Sequence, residues 1–459
     1  MLDYQSFVKN KKHRSIDFGM EVKHVPEMMF DFQKFILEHA SKRGRMAIFL
    51  DTGLGKTLIE LALAKNYADF TGKAVLIITP LAVAFQFLKE AKKFGIEDIS
   101  YSKDGKYSSK IVICNYERLD KFKSDDFDCV ILDESSILKN FDGAIRNRIT
   151  QFVKKVKYRF LFTATPSPND FIELGTSSEA LGFLGYTDML NRFFTNKEGT
   201  ITPQNIGTKW ILKGHAKEGF FQWVSTWSIS MRKPSDLGFN DNNFQLPQLI
   251  LNYNEVKNTK ALCVNNQIMM FVLPAERLTE IRAEQKSTIA ERCERAVEKT
   301  KSHDISVYWC NFNEEGDLIQ KLDTDAHQIK GSMSIDQKEE ILFNFSESKI
   351  KRLITKAKMT AFGLNWQHCN HTVYFPTFSY EQYYQAIRRF WRFGQKRDVI
   401  VDMIYSEGQK RVLDSLIVKT KKANELFHNL NRNINSQYVF EEKKFTQEIE
   451  LPKFLTFSK

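Results

Sequence analysis

Asp51-Thr52-Gly53-Leu54-Gly55-Lys56-Thr57 gathers two glycines, a lysine and a hydroxyl into seven residues, a set able to surround the phosphates of a nucleotide. Glycine at 53 and 55 lets the backbone turn so that its amide N–H groups and the positive end of a following helix face an anion. Lys56 would reach the outer phosphates, and the Thr57 hydroxyl would serve Mg2+. The flanking residues suit that chemistry, because the apolar run Met46 to Leu50 reads as a strand and Leu58 to Tyr67 as a helix. The general form of such a loop would carry a further glycine at position 50, where this chain has leucine. Downstream, Asp128 to Leu132 is a short apolar run of the kind buried in a parallel sheet, and it delivers Asp133-Glu134-Ser135-Ser136 at its carboxyl end. That end of an open α/β sheet is where ligands bind. Two adjacent carboxylates can divide the work there, with Asp133 holding Mg2+ and Glu134 orienting or deprotonating an attacking water.

Parallel strands must position these groups, and the chain alternates accordingly. Runs at 46–50, 74–79, 111–114, 128–132 and 159–163 read as strands separated by helical patterns, the arrangement of a sheet covered on both faces. A second alternation starts near 249 and passes through 305–310, 352–355, 372–375 and 399–405. The fold class expected is α/β, two RecA-like parallel-sheet lobes of the P-loop NTPase kind with an inserted, mainly helical, aromatic-rich subdomain. The boundaries expected are 1–172 for the first lobe, 173–246 for the insertion, 247–405 for the second lobe and 406–459 for a helix and tail. A length of 459 residues with 42% hydrophobic content is enough for two substantial cores.

A net charge of +11 favours a polyanionic partner, since clustered Lys and Arg gain affinity by displacing counterions from phosphates. Within 173–246, Arg192, Lys197, Lys209, Lys213, Lys217, Arg232 and Lys233 are interleaved with aromatics. Phe220, Trp223 and Trp227 fall near helical spacing and read as core, which leaves the basic residues as the better nucleic-acid contacts. Ala275 to Lys299 reads as a helix whose alternating charges form a solvated face, and the apolar positions from Val412 to Leu430 read as a helix on the second lobe. The six cysteines form no CxxC, and His368-Cys369-Asn370-His371 matches no usual zinc spacing, so a reducing compartment without structural metal is expected. No apolar leader or membrane span is expected either, because Ala74 to Leu88 is interrupted by Thr79, Pro80 and Gln86.

The motif series from about Phe30 to Gln395 resembles the superfamily 2 helicases and, within them, the Snf2-like DNA translocases. Phe32-Gln33 stands where that family's glutamine recognises adenine, and Thr79-Pro80 with Gln86 and Phe87 resembles its first nucleic-acid motif. Cys114 to Leu119 resembles the segment after it, and Thr163-Ala164-Thr165-Pro166 resembles the motif that couples nucleotide state to strand contacts. Ser136 takes the place of the last residue of the commoner DEAH and DEAD forms. In the second alternation, Val307 to Phe312, Gly331-Ser332-Met333-Ser334, and Thr355-Lys356 with Gly363-Leu364-Asn365 resemble successive helicase motifs. Gln385 to Gln395 is similar to the Snf2 form of motif VI, with Arg388 replacing the usual glycine. The alignment puts Arg389 and Arg392 where two arginines cross the cleft to the γ-phosphate. Trp210, Gly214-His215-Ala216 and Met231 to Phe239 resemble a bacteriophage or prophage variant of the family.

The resemblance implies a DNA-stimulated ATP hydrolase. Lys56, Glu134, Arg389 and Arg392 would be catalytic; Gln33, Thr52, Gly53, Leu54, Gly55, Lys56, Thr57 and Gly363 would bind ATP; Thr57 and Asp133 would hold Mg2+. Its partner would be DNA, duplex in the first instance with RNA left open, together with replication or recombination proteins, in the cytoplasm or in the host cytoplasm of a virus. Three rivals stand beside a translocase: an ATP-gated clamp or remodeller without processive unwinding, the motor subunit of a restriction-type complex, and a non-enzymatic DNA-binding subunit with a structural nucleotide site.

Overall fold

A computed structural model describes residues 18–80, 83–139, 143–196, 210–257, 262–264, 267–269, 278–359 and 365–446. Two parallel sheets form its core. The first orders its strands Ile99–Tyr101, Ile111–Asn115, Ala74–Thr79, Phe127–Leu132, Tyr158–Thr163, Arg45–Leu50 and Ser228–Met231, all neighbours parallel. The second runs Leu249–Val256, Val399–Ser406, His371–Tyr374, Ser306–Trp309, Arg352–Thr355 and Ala326–Gln328, again wholly parallel. These are two RecA-like lobes. Buried on both faces, the central strands are continuous apolar runs, as in Ala74–Thr79, where five of six residues are buried.

The stretch after the first lobe holds the helices Leu174–Leu181, Tyr186–Phe193 and Lys217–Ser225 and a short antiparallel pair, Phe194–Asn196 with Trp210–Leu212. Phe220 and Trp227 are buried in the first lobe's core, and Trp223 packs partly buried beside them. One part of 173–246 belongs to the first lobe: Ser228–Met231 pairs with Arg45–Leu50 and closes the edge of its sheet.

Two expectations about helices need correction. The segment expected as one solvated helix is two, Leu278–Ser287 and Ile289–Thr300, and Arg292 is fully buried against an equally buried Glu315 at 2.7 Å. Alternating charges do not distinguish a solvated face from a buried ion pair, because the partner lies on another helix. The helix Lys410–Thr446 does not pack on the second lobe alone. Leu413, Leu416 and Ala423 join the second lobe's core, whereas Leu426, Phe427 and Leu430 join that of the first. Lys422 to Asp170 (2.7 Å) and Lys419 to Asn169 (3.0 Å) add polar links from this helix to the first lobe.

Candidate active site between the lobes

The glycine loop follows the strand Arg45–Leu50 and ends at Gly55, which caps the helix Lys56–Thr71. Gly53 and Gly55 have φ of +86° and +78°, the left-handed region that a side chain disfavours. At Gly55 there is also no room, because a Cβ would sit 2.3 Å from Gln33 Nε2. Leu54 is fully buried and anchors the loop from below.

Gln33 lies behind this loop, 4% exposed. Its Nε2 donates to the Leu54 carbonyl at 2.9 Å, and its Oε1 accepts from the Phe30 amide at 2.9 Å. The side chain therefore braces the loop backbone. Lys56 donates Nζ to the Leu50 carbonyl at 3.1 Å, folded over the loop it serves.

A cavity of about 500 Å³ opens in front of the loop and lies between the lobes. Thr52, Gly53, Gly55, Lys56 and Thr57 line one wall, Asp133 and Glu134 the floor, and Arg389 and Arg392 the wall contributed by the second lobe. Residues more than 300 positions apart in sequence thus share one space. Gly363 lies outside the described residues.

Asp133 ends the strand Phe127–Leu132 and accepts a hydrogen bond from the Thr79 hydroxyl at 3.0 Å. Its carboxyl is pushed up to about 7 by burial and then by the Glu134 charge, against the pull of Lys56. A divalent cation would relieve this, so Asp133, with the Thr57 hydroxyl across the cavity, fits a Mg2+ site. Glu134 adopts φ of +51°, unusual without glycine. Its Oε2 accepts a long bond, 3.4 Å, from Thr163 Oγ1, which also receives the Thr165 amide at 3.0 Å. Tyr116 donates its hydroxyl to the Asp133 carbonyl at 2.6 Å, so the segment that resembles the one after the first nucleic-acid motif and the segment expected to couple nucleotide and strand both touch the acidic turn.

Arg389 and Arg392 follow the helix Tyr380–Ile387. The segment is held by Gln395, whose Nε2 donates to the carbonyls of Gln367 (2.9 Å) and Cys369 (3.1 Å), and by fully buried Phe390. Arg389 lies over Trp366, 5.4 Å from the ring centroid. Burial and then the neighbouring Arg392 bring its guanidinium down to about 10, and burial likewise lowers Arg392. An anion between these two would remove that penalty.

Sequence reasoning missed several contacts across the cleft. Ser136 donates to Glu381 Oε1 at 2.6 Å, and Lys139 pairs with the same carboxylate. Arg388 meets Asp51. The substitution of Ser136 in the acidic motif was the available signal, but its partner 245 positions away was not. Among the basic residues of the insertion, Lys213 donates to the carbonyls of Asn191 (2.9 Å) and Arg192 (3.3 Å), and Lys217 pairs with Glu425 at 2.5 Å. Arg232 lies over Phe427 and bonds Asn424 at 2.6 Å, while Lys197 and Lys209 lie outside the described residues.

Two family models match in succession. The one described as the res subunit of type III restriction enzymes covers residues 4–168, and the helicase conserved C-terminal domain covers 287–394. Each lobe thus carries a region similar to a helicase-type domain, residues 4–168 in the first and 287–394 in the second.

The chain is also similar to parts of longer curated proteins. The SWI/SNF-related matrix-associated actin-dependent regulator of chromatin subfamily A-like protein 1 of Xenopus tropicalis is 27% identical over 151 residues, 31% of this chain and 16% of that protein. The DNA repair and recombination protein RAD54 of Saccharomyces cerevisiae is 28% identical over 117 residues, 24% of this chain and 13% of that one. The chain therefore spans less than a fifth of the length of the relatives it matches. Among solved structures, a Sulfolobus solfataricus SWI2/SNF2 ATPase core in complex with dsDNA aligns with a TM-score of 0.41 and 18% identity, covering 90% of this chain and 98% of that one. Among the described residues, no helix is long and apolar enough to cross a membrane.

Proposed function

We propose that this chain is a Snf2-like, DNA-stimulated ATP hydrolase that uses closure of its two lobes to move along DNA. The observation that carries the reading is the composite cavity, in which the glycine loop and two acids of the first lobe face two arginines of the second. A structural nucleotide site would need none of the second-lobe charge.

Lys56 would swing from the Leu50 carbonyl to the outer phosphates, and the amides of the glycine loop would hold the inner ones. Asp133 and Thr57 would hold Mg2+, which would supply positive charge against the phosphates. Glu134 would take the proton of the attacking water. Arg389 and Arg392 would meet the charge that spreads over the transferring phosphoryl group, a term that exists only while the lobes are closed. Gln33 would meet adenine with the hydrogen and lone pair of its amide that Leu54 and Phe30 leave free.

DNA as the track is supported by the net charge of +11 and by the DNA role in the name of the yeast relative. The bacteriophage or prophage kinship rests on the resemblance at Trp210, Gly214 to Ala216 and Met231 to Phe239 alone.

Lys56→Ala should lower ATP turnover about 10²- to 10³-fold, the usual cost of one preorganised charge at the reacting group. Salt-sensitive DNA binding should survive, because most backbone contacts would lie elsewhere. Turnover near wild type would remove Lys56 from the site. Translocation is separated from strand separation by comparing displacement of a triplex-forming strand with unwinding of a tailed duplex. Displacement without unwinding is the expected result, and neither activity would favour the clamp.

A further inference from the structure

Arg388 stands where the Snf2-like pattern has glycine, and Asp51 directly precedes the glycine loop. They meet across the cleft. Arg388 Nη2 pairs with Asp51 Oδ2, the carboxylate wholly buried and the guanidinium 6% exposed. Asp51 Oδ1 accepts the Thr52 amide at 2.6 Å and also the hydroxyl of Tyr384, one turn before Arg388. The guanidinium is seated in turn, 4.2 Å from the centroid of Trp391 and donating Nη1 to the Trp391 carbonyl at 3.1 Å. Burial alone would discourage the Arg388 charge, yet the Asp51 and Tyr384 oxygens outweigh it and hold the group above its ordinary value.

One carboxylate therefore ties the backbone of the phosphate loop to the residue next to Arg389. Phe393 reinforces the link, packing in the first lobe's core 5.2 Å from Phe244 and close to Gly53. Removing either side chain would leave the other's charge buried without its counterion.

We propose that Asp51 and Arg388 are a positioning pair that holds the lobes together at the glycine loop and sets Arg389 towards the nucleotide before DNA binds. This rests on the proposed hydrolase and goes beyond it: part of the closure is built into this chain. Without the pair, the closed fraction depends on DNA contacting both lobes. Arg388→Gly, which restores the family's residue, should lower DNA-free kcat about tenfold, as expected if the fraction closed without DNA drops about tenfold. DNA-saturated kcat should fall less, and KM for ATP, set mainly by first-lobe groups, should change little. The ratio of DNA-stimulated to DNA-free rate therefore rises.

The experiment is steady-state ATPase of the full chain, with and without saturating duplex, for wild type, Arg388→Gly, Arg388→Lys, Tyr384→Phe and the double variant Asp51→Asn/Arg388→Gly. A raised ratio in Arg388→Gly, partial recovery in Arg388→Lys and a double variant no slower than the slower single support the pair. Equal loss with and without DNA, as a merely structural role would give, or an unchanged ratio overturns it. If Arg388→Gly does not fold, Tyr384→Phe decides: it keeps the ring and loses one bond to Asp51, and an unchanged ratio there overturns the proposal as well. Failure of the hydrolase itself would look different, as a wild-type chain that does not turn over ATP under either condition.

Discussion

Glu134→Gln should abolish turnover while leaving nucleotide binding intact. The substitution keeps the size of the side chain and the Asp133 position beside it, and removes only the group able to accept a proton from water. A general base contributes roughly 10²- to 10⁴-fold, so turnover should drop by a factor in that range. Loss of the Glu134 charge also lifts one of the influences that raise the Asp133 carboxyl, which burial and Glu134 hold near 7. At neutral pH the variant's Asp133 is then more fully ionised and its Mg2+ site no weaker. The checks are equilibrium binding of Mg2+-nucleotide and single-turnover hydrolysis. A variant that fails to bind nucleotide would show that Glu134 shapes the site rather than serving water.

Arg389→Ala and Arg392→Ala should bind ATP and DNA and yet lose DNA-stimulated hydrolysis. Both side chains reach the cavity only from the second lobe, so their loss should cost rate rather than affinity. An arginine that meets the transferring phosphoryl group can be worth roughly 10³ to 10⁵ in rate, or about 4 to 7 kcal/mol of barrier. Arg389 should be the more damaging loss, since it is 8% exposed and seated on Trp366, whereas Arg392 is less enclosed. Steady-state ATPase with and without DNA, beside nucleotide binding, separates the effects. Full stimulation in both single variants would reduce the segment to a basic surface.

Much of the scaffold was legible because parallel buried strands are unbroken apolar runs. Ala74–Thr79 and Arg352–Thr355 could be bounded to the residue for that reason. Ile99–Tyr101, Ala326–Gln328 and Ser228–Met231 were not, being three or four residues long and mixing polar with apolar positions. The glycine loop and the acidic floor of the cavity were readable because each sits within one short segment after a strand.

What could not be read is what spans the cleft. Asp51 and Arg388 are 337 positions apart, and an acid before a glycine loop carries no sign of which residue will face it. The long terminal helix shows the same limit, since its spacing gives an apolar face but not that successive parts of it belong to different lobes. Gln33 was singled out by resemblance as an adenine contact, and the bond it makes to the Leu54 carbonyl had no sequence signature at all.

The central claim is that hydrolysis in the inter-lobe cavity drives movement along DNA. It is tested most directly by steady-state ATPase of the wild-type chain on duplexes of increasing length at equal concentration of nucleotides. A motor that travels before falling off should turn over faster as the duplex lengthens and then level off, with Arg389→Ala flat throughout. A rate that DNA raises equally at every length, or does not raise at all, would contradict translocation.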